Sequence, residues 1–196
     1  MDVWFGRMAD IPGIRFHGSP GIERSRLPEA NLKPSTEYGS LHWPISGGMT
    51  SASPAQQRSS VDMGSMDPGA LVHWVWEGLE VPGQPSDYHF LLQGAVTRLW
   101  AARASYPVGL QHVEIFGYTD LALIEAVPQI ALVDIARPSQ GFLRISSLAI
   151  LLTLLEQEGA VREAHALSRR AQRFGGEAFL RDDLEAKVAA LDGERR

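Results

Sequence analysis

The chain contains no cysteine, and this absence excludes several kinds of chemistry at once. Disulfide bonds, cysteine-ligated zinc, iron–sulfur clusters and thiol nucleophiles all require that residue. A metal ion would have to be held by His, Asp and Glu side chains alone.

Long apolar runs are also missing. The most apolar window, residues 145–155, is only half as long as the ~20-residue stretch that crosses a bilayer, and Arg144 and Glu156 bracket it. The first residues lack the basic region and apolar run of a secretory signal. We therefore expect a cytoplasmic protein that does not associate with membranes.

Lysine is scarce, because Lys33 and Lys187 are the only two, and basic charge is carried almost wholly by arginine; the formal net charge is −5. Nucleic-acid binding depends on basic surfaces that release counterions, so nucleic acid is not the expected partner. The lysine-containing phosphate loop and the glycine-rich dinucleotide fingerprint are absent as well.

Half of the prolines lie in residues 1–65, together with many Gly and Ser residues. Because proline fixes φ and glycine is permissive, no long helix can form there, and short strands or irregular loops are expected. The segment still carries many apolar residues that are costly to leave in water; they are Trp4, Phe5, Ile11, Ile14, Phe16, Leu41, Trp43 and Ile45. We expect an N-terminal arm that packs on the rest of the chain.

Residues 66–196 have helical patterns, and the fold is predicted to be mainly α. Asp67 can cap a first helix that begins at Pro68, although residues 71–77 also alternate like a strand. A second helix follows Ser86 or Asp87 and stops before Tyr106-Pro107. Residues 108–138 are predicted to form short pieces, one of them capped by Thr119 or Asp120.

The last third predicts three helices separated by turns. Ser146 or Ser147 caps the first, Gly159 ends it, and the break at Gly175-Gly176 separates the second from a third helix that begins near Glu177.

Residues 148–176 resemble one tetratricopeptide repeat. Gly159 falls at the turn between the helices, and Ala164 and Ala171 fall at small positions where paired helices approach. The chain departs from the family pattern at Leu152, Ser168 and Gly176, and a second copy of the spacing is not seen. The resemblance implies an antiparallel helix hairpin with a surface for a protein or peptide.

The second of these helices carries a basic stripe, which is formed by Arg162, His165, Arg169 and Arg173. An amphipathic surface helix needs such a polar face. The stripe is also the candidate binding surface of the chain.

The stretch RFHGSPG, residues 15–21, is typical of a turn. Its His-Gly-Ser also resembles the element that holds the nicotinamide ribose of NAD in ADP-ribosyltransferases. That resemblance implies a ribose contact by His17, a stacking aromatic at Tyr38 or Trp43, a catalytic carboxylate at Glu77 or Glu80, and a strand over residues 71–77. The same stretch also resembles the α/β-hydrolase loop, but the sequence contains no Gly-x-Ser-x-Gly elbow, which that fold requires.

The histidines show no metal-binding spacing. His73 and Glu77 are four residues apart, but this pairing is common on helix surfaces, so no metal site is expected. The sequence favours a non-enzymatic protein-interaction module without a cofactor, whose partner is another protein or a second copy of itself. The alternative is an NAD-dependent transferase that uses His17.

Overall fold

The computed structural model describes residues 6–37 and 40–193, and over these residues the fold is mainly helical, as predicted. Trp4 and Phe5 of the arm lie outside the described residues. Seven α-helices are found in the described part, with short 3-10 turns between several of them. They are α1 (Pro54–Ser59), α2 (Pro68–Glu80), α3 (Pro85–Ala101), α4 (Leu110–Ala126), α5 (Ser146–Gln157), α6 (Val161–Gly175) and α7 (Asp182–Gly193).

The N-terminal segment forms the expected short strands. They are β1 (Ser35–Glu37), β2 (Ser40–Ile45) and β3 (Gly48–Thr50), arranged as an antiparallel sheet in the order β1-β2-β3. Trp43 pairs with Thr50 across β2 and β3 and is buried. The tight turn between these strands contains Gly47 at φ 89°, a value that favours glycine.

Residues 71–77 are helical, which confirms the first helix prediction. The Asp67 carboxylate accepts hydrogen bonds from the backbone N–H groups of Gly69 and Ala70 at 2.9 and 3.0 Å, and it thereby satisfies two donors of the first turn of α2. Leu71, Val75 and Leu79 form the fully buried face.

The cap predicted for α3 was wrong by one turn. The helix begins at Pro85, and Asp87 is its third residue. The Asp87 carboxylate accepts a hydrogen bond from the Gln84 N–H at 2.8 Å. The acidic side chain therefore serves the helix start from inside the first turn. The helix ends at Ala101, and a turn leads to Tyr106.

The prediction of short pieces over residues 108–138 was wrong for the first part, because α4 runs unbroken from Leu110 to Ala126, and was confirmed after it, where the 3-10 turns Pro128–Ala131 and Pro138–Gln140 follow. Thr119 and Asp120 lie inside this helix and do not cap it. Gly117 weakens the helical pattern in the sequence, but it lies where α5 comes close: a Cβ at this position would lie 3.2 Å from the Leu151 Cβ. Tertiary packing thus overrides the local preference.

The three C-terminal helices are present, with corrected starts. α5 begins at Ser146 after Ile145, which has no capping oxygen, and the Gln93 side chain of α3 accepts the Ser146 N–H at 2.8 Å instead. Residues 176–179 form a 3-10 turn, so α7 begins only at Asp182.

Two apolar clusters build the core. The first joins arm residues to α2, α3, α4 and Leu154 of α5, and the arm contributes Met8, Ile11, Leu27 and Ala30. Within it, the Phe16 ring of the arm stacks on Trp76 with centroids 6.3 Å apart. The second lies between the end of α4, α5, α6 and Leu184 of α7. No helix in the described part of the chain has the length and apolarity to cross a membrane.

Candidate functional site

A long depression lies between α1, α3 and the start of α5, and we call it the α3–α5 groove. It consists of two adjoining hollows of about 860 and 560 Å³ that share Thr97 and Ser146. The side chains that define its course are Gln56, Met63, Phe90, Gly94, Thr97, Arg98, Arg144, Ser146, Ala149 and Thr153.

The α3–α5 groove has an apolar middle section. Phe90 of α3 is 46% exposed although it is a large aromatic residue, and it lies beside the buried Met63. Gly94 keeps this part open, since a Cβ there would lie 3.0 Å from the Met63 Sδ. An exposed aromatic side chain in a concave surface is typical of a binding site for an apolar group.

The charges in the α3–α5 groove are mainly positive. Arg98 donates hydrogen bonds from Nε to the Met63 carbonyl and from Nη2 to the Met66 carbonyl, each at 3.3 Å, so neither bond neutralises its charge. Arg144 is exposed and has no hydrogen bond or ion pair within residues 6–37 and 40–193.

Asp87 is the one carboxylate among the residues that line the groove. It is nearly buried, it accepts a hydrogen bond from the Ser53 hydroxyl at 2.7 Å, and burial raises its pKa. The groove therefore holds two arginines against one nearly buried carboxylate, on a chain of net negative charge.

A chain of buried polar side chains links α3, α4 and α5, and no local pattern in the sequence indicates it. His89 Nδ1 lies 2.7 Å from an Asp120 carboxylate oxygen, and the Ser147 hydroxyl donates to the other oxygen at 2.5 Å. All three side chains are fully buried. The serine contacts the carboxylate and not the imidazole, so the arrangement is not that of a serine nucleophile and its base.

The residues of the His-Gly-Ser stretch are used to fix the arm to α2. The Ser19 N–H donates to the Glu80 carboxylate and the Ser19 hydroxyl to the Trp76 carbonyl, both at 2.7 Å. Arg7 pairs with the same carboxylate at 3.1 Å, and Glu80 is only 3% exposed. The Glu80 carboxylate therefore has a structural role, because it binds two arm residues to α2.

The transferase geometry implied by that resemblance is not present. It requires a strand over residues 71–77, which are helical, and His17 is exposed. Glu77 pairs with Arg58 at 2.6 Å. Tyr38 lies outside the described residues, and Trp43 is buried.

The basic stripe of α6 is partly neutralised. Arg162 pairs with Asp192 at 2.6 Å, and Arg173 lies 3.5 Å from Glu125. His165 and Arg169 line a small hollow of about 280 Å³ together with Arg181 and two acidic residues. These contacts leave the stripe with less free charge than its sequence predicts.

On α2, the His73 Nε2 atom lies 3.3 Å from the Glu77 Oε1 atom. In the part of the chain that the structure describes, no group of three or more His, Asp or Glu side chains is placed to hold a metal ion.

The α5–α6 hairpin turns at Gly159, which has φ 74°, and Ala164 and Ala171 are buried. The likeness to a tetratricopeptide repeat stays a prediction. Comparison with known protein families, curated proteins and solved structures finds no match to this chain.

Proposed function

We propose that the protein is a non-catalytic interaction module that holds an extended, acidic segment of another protein in the α3–α5 groove. The observation that carries this proposal is the combination of a long concave surface, an exposed aromatic residue within it and two arginines that have no carboxylate partner among the described residues.

The shape of the groove favours a chain over a compact small molecule. Two hollows in succession, joined at Thr97 and Ser146, offer a path along α3 and onto α5. The hydroxyls of Ser59, Thr97 and Thr153 along this path donate to carbonyls of their own helices, and their oxygens can still accept hydrogen bonds from the backbone N–H groups of an extended peptide.

The chemistry of the groove selects the composition of the peptide. Guanidinium groups bind carboxylates with two parallel hydrogen bonds, so Arg98 and Arg144 favour Asp or Glu. Phe90 and Met63, which line the larger hollow, favour one large apolar side chain. We expect a segment in which an aromatic or long aliphatic residue is flanked by acidic residues.

The test is selection from a phage-displayed library of random peptides about twelve residues long, which span about 40 Å when extended. We expect enriched peptides to share an apolar residue flanked by Asp or Glu. Their addition should shift the backbone amide NMR signals of Gly64 and Gly94, which line the groove. Binding should weaken as salt is added.

A double variant, Arg98→Gln with Arg144→Gln, provides the specificity test. We expect it to bind the selected peptides at least about tenfold more weakly. The matched control is Arg26→Gln with Arg103→Gln, which removes the same charge from exposed sites outside the groove. A library that enriches nothing, or equal binding by the two double variants, would contradict the proposal.

A further inference from the structure

A second concavity lies at the far end of the helix hairpin, where the loop before α5 meets the end of α6. This α5–α6 cavity has a volume of about 780 Å³. Its floor is formed by Ile145, Phe174 and Phe179, which are 2%, 1% and 6% exposed. Cavities of about 300–1,000 Å³ with an apolar lining are typical of sites for small organic ligands.

The floor of the α5–α6 cavity is held in place by its own contacts. Phe174 packs edge to face with Phe142 at 5.5 Å between centroids. The Ser168 hydroxyl donates to the Phe179 carbonyl at 2.5 Å. The Phe179 ring also packs closely on Gly175, because a Cβ at that position would lie only 2.5 Å from the ring. The cavity is therefore formed before any ligand arrives.

The rim of the cavity carries positive charge. Arg144 has no ion pair in the described ranges. Arg173 lies 3.5 Å from Glu125, donates from Nε to the Arg170 carbonyl at 3.3 Å, and holds its guanidinium 5.5 Å from the centre of the Phe174 ring. Gln172 adds an amide, and no acidic side chain is among the lining residues. An apolar floor below two guanidinium groups matches a ligand with an apolar body and one negative charge.

We propose that the α5–α6 cavity binds small organic carboxylates that carry an aromatic ring. The ring would lie on the phenylalanine floor, where its burial is favourable, and the carboxylate would accept hydrogen bonds from Arg144 and Arg173. This site does not depend on the peptide function. Because Arg144 lines both concavities, an acid in the cavity should weaken peptide binding in the groove.

The test is NMR titration of the full chain with 4-phenylbutyrate and with 4-phenylbutan-1-ol, which has the same ring and chain but no charge. We expect the acid to shift the amide signals of Gly141, Gly175 and Gly176, and to bind at least about tenfold more tightly than the alcohol. Gly64 of the distant groove end should not respond.

Two variants identify the groups that bind. Arg144→Gln should weaken binding of the acid at least about threefold and leave binding of the alcohol unchanged, because the carboxylate then keeps only Arg173 as a charged partner. Ala178→Trp places an indole at the cavity mouth and should abolish the shifts, whereas Ala166→Trp, on the exposed side of α6, should not.

Three results would overturn the proposal. They are the absence of shifts at the cavity glycines, equal binding of the acid and the alcohol by the wild-type protein, and unchanged affinity of Arg144→Gln for the acid. Since Arg144 is an exposed residue, this last variant decides the question even if the indole substitution prevents folding.

Discussion

Single buried charges fasten the N-terminal arm to α2. Glu80 is the main example, because its carboxylate accepts the Ser19 N–H and pairs with Arg7 while the side chain is nearly inaccessible. Removing one member of such a group leaves the others without partners, and that costs more than the contact itself contributes.

We therefore expect Glu80→Ala to lower the free energy of unfolding by about 2 kcal/mol. Urea denaturation followed by circular dichroism measures this change. Glu23→Ala is the matched control, since Glu23 forms an exposed ion pair with Arg26 and such pairs contribute at most about 1 kcal/mol. Equal effects of the two substitutions would show that Glu80 is not an anchor.

The buried His89–Asp120 pair gives a second prediction at this scale. His89→Leu leaves the Asp120 carboxylate with Ser147 alone, and we expect a loss of about 3 kcal/mol in the free energy of unfolding. Replacement of both residues by Leu should cost less than the single change, because no buried charge then lacks its partner. A single variant as stable as wild type would contradict this account.

His112 makes the stability depend on pH. Burial lowers its pKa from the ordinary value of 6.5, so the unfolded chain binds more protons at this site than the folded protein does. Stability should therefore fall as the pH drops from about 7.5 to about 5.5, and His112→Gln should reduce the loss. Thermal unfolding of both proteins at the two pH values measures this, and equal losses would refute it.

At the level of elements, the sequence predicted those helices whose starts and ends are set by nearby residues. The Asp67 cap and the apolar spacing after it gave α2, and the Gly159 turn separated α5 from α6. α4 was missed because its signal is not local. Gly117 interrupts the sequence pattern, yet the helix continues there because Leu151 of α5 fills the space that a side chain would take.

This packing makes Gly117→Ala an informative change. Alanine favours a helix by about 1 kcal/mol over glycine, but the added methyl group would overlap Leu151 and cost about 1–3 kcal/mol. We expect a net loss of about 1 kcal/mol in the free energy of unfolding. In a double-mutant cycle with Leu151→Ala the two changes should couple, so additive losses would disprove the contact.

The cap of α5 shows the same limit. Ser146 and Ser147 look like capping residues, but Ser147 is used by Asp120 and the first N–H of the helix is accepted by Gln93, which is 53 residues away. A serine therefore indicates a helix cap only when no distant group binds its hydroxyl or the helix N–H that it would accept.

At the scale of the whole molecule, the arm and the helices share one of the two cores. Met8, Ile11, Leu27 and Ala30 lie in the cluster formed by α2, α3 and α4. Removing the arm would expose the apolar face of these helices to water.

We expect a protein of residues 66–196 to lose cooperative thermal unfolding and to bind a hydrophobic dye, because half of its core would be incomplete. Calorimetry of the shortened and full chains is the measurement. A single sharp transition within a few degrees of the full chain would show that the arm is not part of the folding unit.

The proposed sites could not be predicted from the sequence at this scale. The α3–α5 groove joins Phe90, Arg98 and Arg144 from different elements, and the α5–α6 cavity joins Ile145 to Phe174 and Phe179. The basic stripe of α6 was visible because it lies within one helix, but its charges are partly paired with Glu125 and Asp192, which are distant in sequence.

The contacts of the arm also set the order in which the chain can fold during synthesis. Ser19 and Arg7 both bind Glu80, which is synthesised 61 residues after Ser19 and 73 residues after Arg7. At about 5–20 residues per second, the ribosome leaves the Ser19 contact unmade for about 3–12 seconds. During that interval the apolar residues of the arm have no docking surface, so we expect a chaperone to bind the nascent arm.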